Sequence, residues 1–487
     1  MRTQRTAAFV VVTLALTAAQ MASSQAATAP ASEAAASEAP PATDSAPDVD
    51  IAFEKTALAN GLEVIVHEDH RTPFVAVSVW YHVGAINEVK GRTGFAHLFE
   101  HLMFQGTPNV GDDKHIAYLE EAGASVRAGM VNGTTNEDRT NYFAVVPSNE
   151  LELVLWLESD RMGYLMAGMT KEKLDEQRDV VKNERLQGVD NAPYGLANEA
   201  LWQKMFPADH PYWGMVIGSL ADLDAATMDD VGGFYDTYYA PSNATIAIAG
   251  DIRPDEAKKL VEKYFGTLPP WEKPVARTIE APKITAPIRV DVEEKTGKLA
   301  MVKLAYFTPP FFEKGDADLD VLAHVLTSGK SSRLYRTLVD EMQIAQSVSA
   351  HQASMGNVSV FEIEVTLREG KDPEEAIATV LAIVEELGDL PPEEAKIQEA
   401  VNTIETGRLF GLQKIGSFSG KSELLQTYNH YRGDPGFVGK DLARYRAVTP
   451  DTIAEAIKTH LAADKRAVLV AKPVVVAPAA AAEGGTP

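Results

Sequence analysis

A chain of 487 residues, 45% hydrophobic and 23% charged, is long enough for more than one core and has the balance of a globular protein. Its formal charge of −24 argues against nucleic-acid backbones and anionic membrane surfaces as partners. The absence of cysteine excludes disulfides, thiolate metal sites and a lipid-modified cysteine.

In chain order, Arg2 and Arg5 precede an apolar run from Ala7 to Ala19, and Ser24-Gln25-Ala26 offers small residues at cleavage spacing. This is the pattern of a secretory signal peptide over residues 1–26, and an exported chain, periplasmic or secreted, is expected. The run is too short to span a bilayer comfortably and no later segment is long enough, so no membrane span is expected in the mature chain. Residues 27–50 form an Ala/Pro/Ser/Glu tract that reads as a disordered linker, and residues 474–487 read as a similar tail.

"FVAVSVWYHV" (74–83) alternates Val with other residues and predicts a strand. "GFAHLFEHLMFQGTP" (94–108) then predicts a helix capped by Thr93 and running to Gln105, before Gly106-Thr107-Pro108 stops it. On that helix Phe95, Leu98, Phe99 and Leu102 share one side, and His97, Glu100, His101 and Phe104 the other. Residues four apart are neighbours, so both imidazoles can point at one spot, and Glu100 can reach a ligand bound there. Two imidazoles suit Zn²⁺, but a catalytic zinc site ordinarily has three protein ligands, so an Asp, Glu or His must come from elsewhere.

"NYFAVVP" (141–147) predicts another strand, and "SNELELVLWLESDRM" a helix capped by Ser148 or Asn149. The Pro-rich, aperiodic stretch 265–287 marks a domain boundary. On either side of it the chain looks duplicated. "ATMDDVGGFYDTYYAPSNATIAIAG" (226–250) and "VTPDTIAEAIKTHLAADKRAVLVAK" (448–472) align without a gap as helix, turn and buried strand. The earlier helices "MTKEKLDEQRDVVKNERL" and "LPPEEAKIQEAVNTIETGRL" fall at about the same offset.

Three stretches in this order, "HLFEHLMFQGT", "VNGTTNEDRTNYFAVVP" and "RDVVKNERLQ…NAPYG", resemble the insulinase (pitrilysin) family of zinc metallopeptidases with an inverted H-x-x-E-H motif, and within it the short, bacterial processing-peptidase-like branch. The resemblance spans residues 52–472. It implies an α+β fold of two tandem duplicated domains, each a mostly antiparallel sheet packed with helices, together forming half of a clamshell chamber. The expected layout is a catalytic domain at 51–268, a linker at 269–287 and a non-catalytic homologous domain at 288–473.

What the resemblance implies agrees with the helix chemistry. His97 and His101 match zinc ligands, Glu100 the general base, and Glu184 in Val181-Lys182-Asn183-Glu184 the third ligand, for one Zn²⁺ per chain. Gln177, Val181 and Glu184 share a stripe, so Glu184 can face the histidine helix while Leu174 and Val180 pack. Several relatives carry a glutamate where this chain has Gln177, a change beside the ligands of a kind that alters metal affinity or activity. Relatives also bind peptide as an added strand on a sheet edge, here matched by Asn132-Gly133-Thr134, although "NGT" reads equally as a simple turn. Arg139 and Tyr142 match the pattern and can equally serve packing.

His324 stands alone on the corresponding helix of the second half and reads as structural. The implied function is zinc-dependent endopeptidase action on peptides or unfolded segments. The implied partner is a second copy or a related non-catalytic subunit, which would also supply a substrate-holding Arg/Tyr pair not placed here. The alternative is a catalytically weak or non-catalytic binding or assembly subunit of the same fold.

Overall fold

The computed structural model describes residues 49–275, 277 and 279–474. The expected signal peptide, residues 27–48 of the linker tract and the tail beyond residue 474 lie outside the described residues.

Two mixed sheets organise the chain. The first takes β1 (Glu54–Ala57), β2 (Glu63–Glu68), β3 (Phe74–Tyr81), β4 (Val131–Thr135), β5 (Thr140–Pro147) and β6 (Ala244–Gly250), in the order β1-β2-β6-β3-β5-β4. The second takes β7 (Ile288–Glu294), β8 (Met301–Thr308), β9 (Ala345–Ala353), β10 (Ser359–Leu367) and β11 (Ala467–Pro473), in the order β7-β11-β8-β10-β9. Only the β2–β6 and β7–β11 pairs are parallel, and every other pair is antiparallel. Setting β1 aside, the two orders are the same: the last strand of each half lies between its first and second. This is the duplication expected from the sequence, now visible as topology.

Period-two alternation sorts the side chains of each sheet onto two faces. On the first sheet Val64, Val66, Val77, Val79, Val146 and Ile248 pack under the helices Phe95–Leu102, Leu151–Gly168 and Pro254–Phe265. The opposite face, with Ile65 and Ala247, is covered by Leu425 and Tyr428 of the helix Lys421–Arg432, which comes from the second half. The reciprocal contact exists on the second sheet. There Met301, Ala305, Leu469 and Ala471 pack on Ala197, Leu201 and Met205 of the helix Gly195–Met205, which comes from the first half. Each half therefore lends one helix to the other's sheet.

Two expected helix caps are corrected. The histidine helix runs from Phe95 to Leu102 and starts on Gly94, whose φ of 85° suits glycine, rather than on Thr93. Thr93 instead donates to Asp222 at 2.5 Å, and the first free amides, of Gly94 and Ala96, donate to the buried Glu88 carboxylate, both at 2.9 Å. The helix stops before Gln105 because the amides of Phe104 and Gln105 close tighter turns on the carbonyls of His101 and Leu102. The helix Leu151–Gly168 has no side-chain cap: Ser148 to Glu150 form a 3-10 turn, and the Ser148 hydroxyl is drawn to Asp251 at 3.0 Å.

Candidate metal centre

Every residue of the helix Phe95–Leu102 is buried, so its polar side chains have no water to fall back on. His97 is 2% exposed and His101 3% exposed, and their rings stand edge to face with centroids 4.9 Å apart. The second helix, Lys171–Arg185, buries the stripe Leu174, Gln177, Val181 and Arg185. Val180 is only half-buried, so the packing residue is Val181 rather than the expected Val180. This stripe holds Glu184 toward the histidines: Glu184 Oε2 lies 3.7 Å from His97 Nε2 and 3.4 Å from His101 Nε2. Arg185 fixes the end of the same helix, bonding Glu199 at 2.6 Å and the Gly218 carbonyl at 2.7 Å.

His97 Nε2, His101 Nε2 and Glu184 Oε2 are all buried, and none has a hydrogen-bond partner. Three unpaired polar atoms aimed at one point are costly in a dry interior, and a cation among them removes that cost. Their ligand atoms lie within 4.8 Å of one another, and among the described residues no other cluster of His, Asp and Glu has metal-binding geometry. Two imidazoles and one carboxylate, with no thiolate, suit a zinc site that keeps a position open. The donor set therefore fits the metal that the sequence implied. Burial holds the His97 imidazole well below its usual range, in the neutral form that a metal requires.

Glu100 lies on the same helix, 2% exposed, and its Oε2 accepts from the Thr135 hydroxyl at 2.6 Å. Burial pushes its carboxyl up to about 7, against the pull of His101, Thr135 and Arg139. The stretch Asn132-Gly133-Thr134 is strand, not turn, and belongs to β4 at the edge of the first sheet. Gly133 is required there, since a Cβ would stand 2.9 Å from Glu100 Cγ. Thr135 was not foreseen from the sequence, although its place two residues beyond Gly133 on the same face was a usable signal. Tyr142 is fully buried with its hydroxyl on the Phe99 carbonyl at 3.3 Å, and Arg139 lies over Trp80, 4.9 Å from the ring centroid. Tyr142 is packed inside the protein, whereas Arg139 is half-buried.

The second half lacks the equivalent side chains. Its helix Asp316–Thr327 also starts on a left-handed glycine, Gly315. Counting from Gly94 and Gly315, His97, Glu100 and His101 fall on Asp318, Val321 and Leu322. Counting instead from the helix starts Lys171 and Glu394, which also matches Arg185-Leu186 to Arg408-Leu409, Glu184 falls on Gly407 of the helix Glu394–Gly411. His324 is offset from both ligand positions and accepts or donates with the Ser328 hydroxyl at 3.0 Å.

A duplicated α+β scaffold carrying an H-x-x-E-H helix and a third carboxylate in one half defines a class of zinc peptidase-like proteins. The chain belongs to the insulinase family. Residues 63–210 match the family described as Insulinase (Peptidase family M16), and residues 225–404 match the Peptidase M16 inactive domain. The chain is 32% identical over 314 residues to the zinc protease PqqE of Helicobacter pylori, covering 63% of this chain and 68% of that protein. It is similar to the crystal structure of a protease from Helicobacter pylori, with a TM-score of 0.80 and 25% identity over 87% of this chain and 100% of that one. In fold it also resembles the first half of the periplasmic protease PqqL from Escherichia coli, with a TM-score of 0.70 and 18% identity over 87% of this chain and 92% of that one.

Proposed function

We propose that this protein is a zinc-dependent endopeptidase that hydrolyses peptides or unfolded polypeptide segments. The observation that carries the reading is the convergence of three unpartnered buried donors, from His97, His101 and Glu184, beside a buried carboxylate. These three side chains hold the metal. Zn²⁺ in such a site supplies Lewis acidity toward a carbonyl oxygen and makes hydroxide accessible near neutral pH. Glu100 takes the proton of the attacking water and delivers it to the departing amine. Thr135 fixes one of its oxygens through the 2.6 Å hydrogen bond. Gln177 lines the buried stripe beside Glu184 as a neutral amide and leaves the charge of the centre to Glu184 and Glu100.

The substrate lies along the free edge of β4 at Asn132, Gly133 and Thr134, where main-chain pairing accepts many sequences. The match to the inactive domain begins at residue 225, C-terminal to all four site residues, so it does not argue against activity in the first half. In this reading residues 51–268 are the catalytic domain, 269–287 the linker and 288–473 the non-catalytic domain, and the two domains together form half of a chamber. A second copy or a related subunit completes it. Export to the periplasm or beyond is supported by Arg2, Arg5 and the apolar run Ala7 to Ala19. No helix among the described residues is long and apolar enough to cross a membrane.

The test is Glu100→Gln in the purified zinc-loaded chain. Peptide cleavage is expected to disappear while bound zinc stays at the wild-type level. Undiminished cleavage by that variant removes Glu100 from the reaction.

A further inference from the structure

Alternation along β4 sends its side chains to opposite faces. Gly133 and Thr135 face the histidine helix, one admitting the Glu100 methylene and the other donating to its carboxylate. Thr134 points away, and its hydroxyl donates to Asn141 Oδ1. Arg139 bonds the same oxygen at 3.0 Å and the Thr134 carbonyl at 2.8 Å. The amide of Asn141 then donates to Glu423 Oε2 at 2.7 Å, which also accepts from Trp80 Nε1 at 3.0 Å. Glu423 is buried and sits on the helix Lys421–Arg432, the one lent by the second half.

A separate tie holds the turn that joins β4 to β5. Asp138, also buried, accepts from the Gly356 amide at 2.7 Å, from the Tyr431 hydroxyl at 3.1 Å and from the Tyr212 hydroxyl. Gly356 and Tyr431 belong to the second half. Both faces and the end of β4 are thus accounted for: Glu100 lies on one face, and second-half groups hold the other face and the turn.

We infer that the second half is a positioning element for the general base, with Glu423 and Asp138 as positioning residues that hold β4 so that Thr135 and Gly133 fix the Glu100 carboxylate. The catalytic part of this inference rests on the endopeptidase reading. A plain interface role has a control built into the same helix. Gln426 is equally buried and donates to the Ser78 and Thr245 carbonyls, on β3 and β6, without reaching β4. General loosening of the interface affects both sites, whereas positioning through β4 singles out Glu423.

The experiment uses the full zinc-loaded chain with Glu423→Ala, Glu423→Gln and Gln426→Ala, and Asp138→Asn as an independent variant should Glu423→Ala fail to fold. Hydrogen–deuterium exchange is read over residues 131–135 and over residues 63–68, beside zinc content and peptide kinetics. Glu423→Ala is expected to speed exchange in 131–135 about tenfold over Gln426→Ala, a local opening with 63–68 unchanged. It is expected to lower kcat/KM by about tenfold at unchanged zinc content, because the base drifts from its productive position. Glu423→Gln, whose amide oxygen still accepts from Asn141 and Trp80, is expected to restore both. Equal exchange in Glu423→Ala and Gln426→Ala overturns the inference. The exchange readout decides the positioning claim without any turnover, whereas the endopeptidase reading stands or falls on Glu100→Gln.

Discussion

Replacing Gly133 with Ala perturbs the proposed centre without touching a ligand. The added Cβ would stand 2.9 Å from Glu100 Cγ, 3.2 Å from Tyr142 Cδ1 and 3.3 Å from Glu100 Oε1. Carbon atoms pack comfortably at about 3.5–4.0 Å, so the Glu100 side chain has to give by roughly half an ångström to one ångström. Tyr142 is fully buried and held to the Phe99 carbonyl, which leaves Glu100 as the group that moves. Overpacking of this kind costs about 1–3 kcal/mol of stability. Moving a reacting group by about one ångström costs on the order of a hundredfold in rate. Steady-state cleavage of a fluorogenic peptide, with zinc measured by mass spectrometry on the same sample, is therefore expected to show a loss of about a hundredfold at wild-type metal content. Activity within twofold of wild type refutes the placement of Glu100 against β4, and a parallel loss of zinc refutes its separation from the ligand set.

Other expectations follow from the same geometry. Glu184→Gln removes the anionic donor, and zinc retention after dialysis against a weak chelator is expected to fall while the far-UV spectrum is kept; equal retention points to another third ligand. Arg185→Met breaks the ion pair with the half-buried Glu199, and a lowered Tm together with weaker zinc binding is expected because the helix end that presents Glu184 is released. His82 and His430 face each other Nδ1 to Nδ1 at 2.7 Å, an arrangement in which one must donate and the other accept. Burial pushes both down to about 3, so between about 6.5 and that value the unfolded chain binds more protons than the folded one. Stability is then full above about pH 6.5 and falls as the pH drops. Tm at pH 5 is expected below that at pH 7.5, with a shallower slope in His430→Asn, and identical slopes contradict this.

The spacing of His97, Glu100 and His101 announced a common helix face, because helical geometry alone brings residues three and four apart together. Strands β3 and β5 were equally legible from alternation. Glu184 was reached only through resemblance: one glutamate among many on a charged helix says nothing by itself about which neighbour it faces. The start of the histidine helix was misread because Thr93 has the chemistry of a cap but its hydroxyl is taken by Asp222, while the capping carboxylate comes from Glu88 in the preceding loop. "NGT" looks like a turn because Asn and Gly favour turns, yet Gly133 is needed for close approach of Glu100 to a strand. The reciprocal helix exchange was invisible for a related reason. An amphipathic helix such as Lys421–Arg432 records that one face is buried, not which sheet buries it.

The most direct test of the whole account is the zinc stoichiometry of the purified wild-type chain beside His97→Ala, His101→Ala and Glu184→Ala, each checked for folding by circular dichroism. The account predicts one zinc per wild-type chain and its loss, with peptide cleavage, in each folded variant. Zinc held at wild-type stoichiometry in all three variants would contradict it.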